Sequence, residues 1–177
     1  MRIANRSLVI ALERILVATD FSDEAKAALT WGLEFAGRFG AALHVLHVSQ
    51  NFCINTFGAE NCAAIAPGRQ RQIEEDARRH LDEWLDAANA TGPSMVPAIL
   101  TSAAPALAIM DYARDHDIDL IVMGTQGRDA WARLVVGSVA ERVVRRAPCP
   151  VLTLKRSGHV LPSDEPPTAG QCSRRAS

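Results

Sequence analysis

The run Asp119-Leu120-Ile121-Val122-Met123 leads directly into Gly124-Thr125-Gln126-Gly127, and after nine further residues the chain reaches Gly137-Ser138. The apolar run is typical of a buried parallel strand. Glycines let backbone N–H groups approach an anion without a Cβ in the way. A helix that begins at the Gly-Ser pair adds unpaired N–H donors and the positive end of its dipole. The pattern therefore predicts a strand, a phosphate-binding turn and a helix.

Apolar strands and amphipathic helices alternate along the rest of the chain. The predicted strands are Arg14–Thr19, Ala42–Val48, Met95–Leu100, Ile118–Met123 and Pro150–Leu154. The predicted helices run from an N-cap at Ser22 to Gly40, from Arg69 to Ala90, from Pro105 through Ala113 and from Ser138 to Arg146. This alternation predicts a single α/β domain: a Rossmann-like, doubly wound sheet of five parallel strands with helices on both faces. Pro97 restricts the third strand to an edge or a non-donating position.

The composition is that of an ordinary globular domain. The 177 residues are 48% hydrophobic and 22% charged, with a net charge of −1. Because the chain is nearly neutral, neither nucleic acid nor a membrane is predicted as a partner. Four cysteines without a C-x-x-C pair indicate no zinc site and suit a reducing cytoplasm. We expect residues 13–155 to form the domain, residues 1–12 a weakly ordered extension and residues 156–177 a disordered tail.

A ligand site is predicted at one edge of the sheet. Ligands of open α/β sheets bind beyond the carboxyl ends of the strands, where the winding direction reverses. Asp20 and Gly124 each follow a strand, and they face each other across such a crevice if the first and fourth strands are neighbours. The glycine turn then holds phosphates with help from Arg128, while Asp20 and the region near Val48 hold a base or ribose. The dinucleotide motif G-x-G-x-x-G is absent after the first strand, and the P-loop motif is absent from the chain.

Six stretches carry a family resemblance: DLIVMG at 119–124, GR at 127–128, RLVVGSVAERV at 133–143, APCPVL at 147–152, ILVATDFS at 15–22 and LHV at 46–48. Together they closely resemble the universal stress protein family over about residues 13–155. The spacing G-x2-G-x9-G-[ST] is the pattern of the family's ATP-binding branch, and it is complete here. Two features depart from the family. Gln126 stands where His is frequent, and Asp129-Ala130-Trp131 replaces a segment of small residues.

The resemblance implies a cytoplasmic ATP-binding protein that regulates a stress response or survival by binding an unknown protein partner, with its nucleotide state as the control. It implies a homodimer formed through the last strand, Val151 to Leu154, and Mg²⁺ is expected to accompany the triphosphate. No catalytic residue and no metal-ligating side chain is assigned. By position, the implied nucleotide contacts are Ala18, Thr19, Asp20, Val48, Met123, Gly124, Gly127, Arg128, Gly137, Ser138 and Val139.

Some of these residues also have explanations that need no ligand. Ser138 and Glu141 form an S-x-x-E capping box, and Asp20 is a residue type that often orders the turn into a helix. His44 and His47 suggest a metal pair, but side chains three residues apart on a strand point to opposite faces. We therefore predict packed histidines rather than a shared metal ion.

Two other functions stay open. A slow ATPase or phosphoryl-transfer enzyme in the same pocket needs a residue that positions water or accepts a proton near the γ-phosphate. The motif offers only Gln126 or Asp129 for that role. A nucleotide-free interaction protein is the third alternative. The complete glycine spacing disfavours it, whereas Asp129 and Trp131 favour it.

Overall fold

The computed structural model describes residues 11–49, 67–88, 93–125 and 137–155. These ranges hold five strands and four helices in alternation. The strands are β1 (Arg14–Thr19), β2 (Ala42–Ser49), β3 (Met95–Thr101), β4 (Leu120–Gly124) and β5 (Val151–Leu154). The helices are α1 (Asp23–Phe39), α2 (Pro67–Ala88), α3 (Pro105–Asp115) and α4 (Ser138–Arg146). Most of the predicted N-terminal extension, residues 50–66 between β2 and α2, and the predicted tail lie outside the described residues.

The five strands form one parallel sheet in the order β3-β2-β1-β4-β5. β1 is the central strand, and its Val17 pairs with Val45 on one side and Val122 on the other. The chain winds outward from β1 to β3 and then returns to begin β4 on the other side of β1. The winding direction therefore reverses between β1 and β4, and the predicted doubly wound fold is confirmed.

Alternate residues of the strands build two apolar cores, one on each face of the sheet. Leu16, Leu46 and Ile121 are buried under α3 and α4. Val17, Val45 and Val122 are buried under α1 and α2. Because the central strands are covered on both faces, they read in the sequence as continuous apolar runs rather than as alternating ones.

The ends of α1 follow from local sequence. The Ser22 hydroxyl accepts a hydrogen bond from the Ala25 N–H at 3.2 Å, as an N-cap does. Gly40 ends the helix with a left-handed φ of 68°, which is why a glycine stands there. Gly32 faces the sheet, and a Cβ at this position would lie 2.4 Å from Val17 Cγ2. The predicted N-cap and stop are both confirmed.

β3 is an edge strand, as Pro97 predicts. The Leu43 N–H donates to the Ser94 carbonyl, and the Ser102 N–H donates to the Ser49 carbonyl. In a parallel ladder these bonds place the backbone groups of even-numbered β3 residues toward β2 and those of odd-numbered residues toward the free edge. Pro97 is odd-numbered, so its missing N–H leaves the ladder complete.

The predicted element boundaries differ from the observed ones by at most two residues where both are described. β4 begins at Leu120 instead of Ile118, because the Ile118 N–H is used in the turn after α3, where it donates to the Ala113 carbonyl at 2.9 Å. α2 begins at Pro67, two residues before the predicted start, since proline is favoured in the first helical turn. Among the described helices, none combines the length and apolarity that crossing a membrane requires.

Candidate functional site

The carboxyl ends of β1 and β4 lie side by side. Ala18 pairs with Met123, and Asp20 and Gly124 lie at the same edge. The first and fourth strands are therefore neighbours, as the predicted ligand crevice requires. The sheet also reverses its winding direction at this point. On the other side of β1, Thr19 pairs with His47, which brings Val48 to the same edge of the sheet.

The residue after β4 connects three elements. The Thr125 N–H donates to the Leu154 carbonyl at 2.8 Å, and the Thr125 carbonyl accepts from the Gly137 N–H at 2.6 Å. The second bond places the start of α4 directly against the end of β4. Residues 126–136, which include Gly127, Arg128 and the family departures at Gln126, Asp129 and Trp131, lie outside the described residues.

Among the described residues, no side chain caps the N-terminus of α4. Gly137 is the N-cap residue, and its carbonyl accepts the first intrahelical bond from the Glu141 N–H at 2.9 Å. The predicted capping box is wrong because Ser138 is the first residue inside the helix rather than the residue before it. Glu141 instead forms an ion pair with Arg145 at 3.1 Å. The Gly137–Thr125 bond therefore places the first-turn N–H groups and the positive end of the helix dipole beside the end of β4, where no described side chain caps them.

Asp20 orders the turn between β1 and α1. Its Oδ1 accepts from the Ser22 N–H at 3.1 Å. Thr19 Oγ1 accepts from the Phe21 N–H at 3.0 Å, and the Thr19 carbonyl lies 2.9 Å from His47 Nδ1. The interpretation of Asp20 as a turn residue is confirmed. The same bonds fix the backbone of Thr19 and Asp20 at the edge of the crevice.

Phe21 is a site feature that the sequence did not reveal. Its φ is +64°, in the left-handed region that a bulky side chain rarely adopts. Such a conformation costs about 1–3 kcal/mol and persists only where its surroundings impose it. The ring packs against His47 at 4.5 Å and against Trp84 at 5.3 Å between centroids. The rings that pack on Phe21 come from β2 and α2, so no local pattern in the sequence reveals these contacts.

Two buried hydroxyls at this edge lack hydrogen-bond partners within the described part of the chain. Thr125 Oγ1 follows β4, and Ser49 Oγ ends β2. Only 7% of Thr125 and 2% of Ser49 is exposed. Buried hydroxyls are normally paired. The carboxyl edge of the sheet therefore holds more buried polar groups than the described residues can pair.

The two histidines of β2 lie on opposite faces, as predicted. His44 Nδ1 lies 2.9 Å from the Tyr112 hydroxyl in the core under α3, whereas His47 packs on Phe21. Burial lowers the pKa of His44, and the charges of His116 and Arg14 lower that pKa further. Among the described residues, no group of three or more His, Cys, Asp or Glu side chains is arranged to hold a metal ion.

Comparison with known proteins decides the family. The model of the universal stress protein family matches residues 11–155. The chain belongs to the universal stress protein family. A universal stress protein of Thermus aquaticus is 36% identical over 141 residues, which cover 80% of this chain and 97% of the relative. Universal stress protein MJ0531 of Methanocaldococcus jannaschii is 30% identical over 148 residues, or 81% of this chain and 82% of the relative.

Solved universal stress proteins have the same fold. UspA from Lactobacillus plantarum superimposes with a TM-score of 0.62 and 30% sequence identity, covering 82% of this chain and 99% of that chain. Two more distant members of the fold have solved structures in complex with nucleotides. One is a universal stress protein in complex with cAMP, with a TM-score of 0.61 and 24% identity, covering 84% of this chain and 100% of that chain. The other is an Archaeoglobus fulgidus protein in complex with dAMP, with a TM-score of 0.57 and 23% identity, covering 82% of this chain and 98% of that chain.

Of the contacts that the universal stress protein resemblance implied, all but Gly127 and Arg128 are described. These residues all lie at or next to the carboxyl ends of β1, β2 and β4 or at the start of α4. They are Ala18, Thr19, Asp20, Val48, Met123, Gly124, Gly137, Ser138 and Val139. Ala18 and Met123 are almost fully buried, and their side chains belong to the core under α3 and α4. Any contact that these two residues make with a ligand is therefore chiefly through the backbone.

Proposed function

We propose that this protein binds ATP and regulates a stress response or survival through a protein partner, with its nucleotide state as the control. The observation that carries the proposal is the hydrogen bond from Gly137 to Thr125, which joins the uncapped N-terminus of α4 to the end of β4 at the reversal point of the sheet. Uncapped amides and a helix dipole at such a point favour a phosphate group. The cAMP and dAMP complexes of proteins with this fold support an adenine nucleotide.

In this proposal the two sides of the crevice have different tasks. The phosphates lie at Gly124, Gly137, Ser138 and Val139, and Gly127 and Arg128 complete the phosphate contacts. The adenosine lies toward the ends of β1 and β2, at Ala18, Thr19, Asp20 and Val48. This division follows the chemistry of the two sides, because the backbone of a helix N-terminus offers N–H donors, whereas the ends of β1 and β2 supply carbonyl and carboxylate acceptors.

Mg²⁺ is proposed to arrive with the triphosphate. A magnesium ion keeps several water ligands and is commonly held by substrate phosphates with one or two carboxylates. Asp20 is a carboxylate at this edge of the sheet, and its described hydrogen bond orders the β1–α1 turn. The described residues hold no group of three or more His, Cys, Asp or Glu side chains arranged for a metal ion, so phosphate oxygens and water are the proposed ligands of the ion.

A homodimer through β5 is proposed as the assembly. β5 is the edge strand opposite β3, and its four residues are only partly buried. The Ile121 N–H donates to the Pro150 carbonyl, and the Thr125 N–H donates to the Leu154 carbonyl. The backbone groups of even-numbered residues in this strand thus face β4, which leaves those of Val151 and Thr153 facing outward for pairing with a second copy.

The decisive experiment identifies what the purified protein carries and whether it turns that ligand over. The full chain is purified from cells and denatured, and any released nucleotide is identified by mass spectrometry. ATP affinity is then measured by calorimetry, and ATP hydrolysis is followed with Mg²⁺. Bound ATP without multiple turnovers supports the regulator, whereas multiple turnovers support a slow ATPase. If no nucleotide is released and calorimetry detects no ATP binding, the remaining hypothesis is the nucleotide-free interaction protein.

A matched pair of variants tests the position of the site. Gly127→Val places a branched side chain in the glycine motif and should abolish ATP binding while the protein stays folded. Gly37→Ala is the control, since Gly37 lies in α1 and a Cβ added there would have no described atom within 4 Å beyond its own helix backbone. The phosphate position is wrong if Gly127→Val retains the ATP affinity of the Gly37→Ala control.

A further inference from the structure

Phe21 connects the β1–α1 turn to two other elements of the fold. Its ring lies 4.5 Å from the His47 ring of β2 and meets the Trp84 ring of α2 edge-on at 5.3 Å. A third ring, His80 of α2, lies 5.7 Å away. We refer to Phe21, His47, His80 and Trp84 as the aromatic cluster. At the centre of this cluster, the Phe21 backbone has a φ of +64°, a conformation that its own side chain disfavours.

The backbone on the N-terminal side of Phe21 belongs to the proposed adenosine side of the site. The Phe21 N–H donates to Thr19 Oγ1, and His47 Nδ1 contacts the Thr19 carbonyl. A relaxed φ at Phe21 would reorient the chain that follows it, so the Ser22 N–H would move relative to Asp20 Oδ1, which accepts from it at 3.1 Å. The turn at Phe21 therefore bears on how the Asp20 carboxylate is held, and His47 holds the Thr19 carbonyl beside it.

We propose that Phe21 is a positioning residue of the nucleotide site. Its ring, held by His47 and Trp84, maintains the left-handed turn that presents Thr19 and Asp20 to the adenosine half of the ligand. This inference rests on the proposed function. Strained residues are concentrated at binding sites because a ligand can use the geometry that the surrounding contacts impose. The phosphate half of the site, at the start of α4, has no contact with the cluster through the described hydrogen bonds.

The positioning role predicts a selective loss of affinity. Phe21→Ala removes the ring but keeps a Cβ, so the left-handed turn loses its support and relaxes. ATP affinity should fall about tenfold, whereas the affinity for inorganic tripolyphosphate, which occupies only the phosphate half, should stay within about twofold. Phe21→Leu retains an apolar side chain against Trp84 and His47 and should recover most of the ATP affinity.

Phe21→Gly separates backbone conformation from packing. Glycine adopts positive φ without steric cost but offers no ring to the cluster. We expect its ATP affinity to lie between those of Phe21→Leu and Phe21→Ala. A role in packing alone would instead make glycine the most damaging of the three substitutions, because it removes the most side chain.

The experiment measures ATP and tripolyphosphate binding to the full chain and these variants by calorimetry, at a temperature where circular dichroism shows each to be folded. Trp84→Leu serves as a second route if Phe21→Ala does not fold, since it weakens the cluster from α2. This change leaves the sequence of the turn intact but loosens the packing that supports its geometry, so ATP affinity should again fall selectively.

Three outcomes would overturn the positioning role. The first is unchanged ATP affinity in the folded variants, and the second is an equal loss of affinity for both ligands. Either of these would leave the proposed function intact, because the wild-type protein would still bind ATP. The third is failure of the wild-type protein to bind either ligand, which would overturn the proposed function and the positioning role with it.

Discussion

The Gly137 N–H donates to the Thr125 carbonyl at 2.6 Å, so the N-cap of α4 is hydrogen-bonded to the residue that follows β4. Gly137 has φ −71° and ψ 153°, an extended conformation that any L-residue adopts. The backbone conformation therefore does not require glycine at this position. The proposed site supplies a reason, because a side chain here would occupy the first-turn amides or the space in front of them.

Gly137→Asp should make the protein more stable and a weaker ATP binder. Aspartate is a favoured N-cap whose carboxylate accepts from the first-turn N–H groups and interacts well with the helix dipole, so the free energy of unfolding should rise by about 0.5 kcal/mol. The same carboxylate repels phosphate and takes its donors, so ATP affinity should fall about a hundredfold. Urea unfolding and calorimetry measure the two effects.

Gly137→Asn is the control for charge in that experiment. Asparagine caps the helix equally well but carries no charge. Its ATP affinity should fall less than that of Gly137→Asp, because only the competition for amides remains. Unchanged ATP affinity in both variants would show that the phosphates do not lie at α4.

Gly32→Ala should destabilise the protein although alanine is the better helix former. The new Cβ would lie 2.4 Å from Val17 Cγ2 and 3.2 Å from Leu43 Cδ1, so α1 must move away from the sheet. Overpacking of this kind costs about 1–3 kcal/mol.

Gly37→Ala is a matched control in the same helix, at an exposed position where an added Cβ meets open space among the described residues. It should raise the free energy of unfolding by about 0.5–1 kcal/mol. Opposite signs in urea unfolding are expected, and equal shifts would contradict the close approach of α1.

The parts of the fold that the sequence predicted are those with local causes. Ser22 and Gly40 bound α1 through their own side-chain and backbone chemistry, and Pro97 marks β3 as an edge strand because it lacks an N–H. From the sequence alone, the pairing of β1 with β4 could be named only as a condition for the ligand crevice. This pairing joins distant segments and depends on the packing of helices on both faces of the sheet, and local sequence patterns indicate such contacts only indirectly.

The site was predicted less completely, and each error has a physical cause. Ser138 looks like an N-cap in the sequence, but the Glu141 N–H donates to the Gly137 carbonyl, so the helix begins one residue earlier than a serine cap requires. Phe21 is an ordinary apolar residue in the sequence, and its positive φ and its packing against rings of β2 and α2 appear only in the folded structure. Buried hydroxyls such as Thr125 Oγ1 are invisible without the tertiary structure.

Acid should destabilise the protein in part through His44. Burial lowers the pKa of His44 in the folded state below the ordinary value of about 6.5 that applies to the unfolded chain. The unfolded state therefore binds the proton first as pH falls, and the free energy of unfolding drops below about pH 6.5 by up to about 1.4 kcal/mol per pH unit. His44→Gln should have a flatter profile in urea unfolding between about pH 8 and about pH 5.5, the range that spans the ordinary histidine pKa.

Tyr112→Phe is the control for this pH effect. It removes the hydroxyl that lies 2.9 Å from His44 Nδ1 but leaves the histidine buried. Its stability should be lower than that of the wild-type protein throughout, with acid sensitivity retained. Parallel profiles for the wild-type protein and His44→Gln would mean that other groups cause the acid sensitivity.

Thr153→Pro should convert the proposed homodimer into a monomer without unfolding the subunit. The backbone of Thr153 faces away from β4, since the even-numbered residues Pro150 and Leu154 provide the carbonyls that accept from Ile121 and Thr125. Proline is tolerated at a sheet edge whose N–H faces solvent, but it removes a donor that pairing with a second copy needs. Thr153→Val keeps the donor and should remain dimeric. Light scattering after size exclusion at matched protein concentrations gives the masses. A dimeric Thr153→Pro would place the interface elsewhere, and a monomeric wild-type protein would remove the dimer from the proposal.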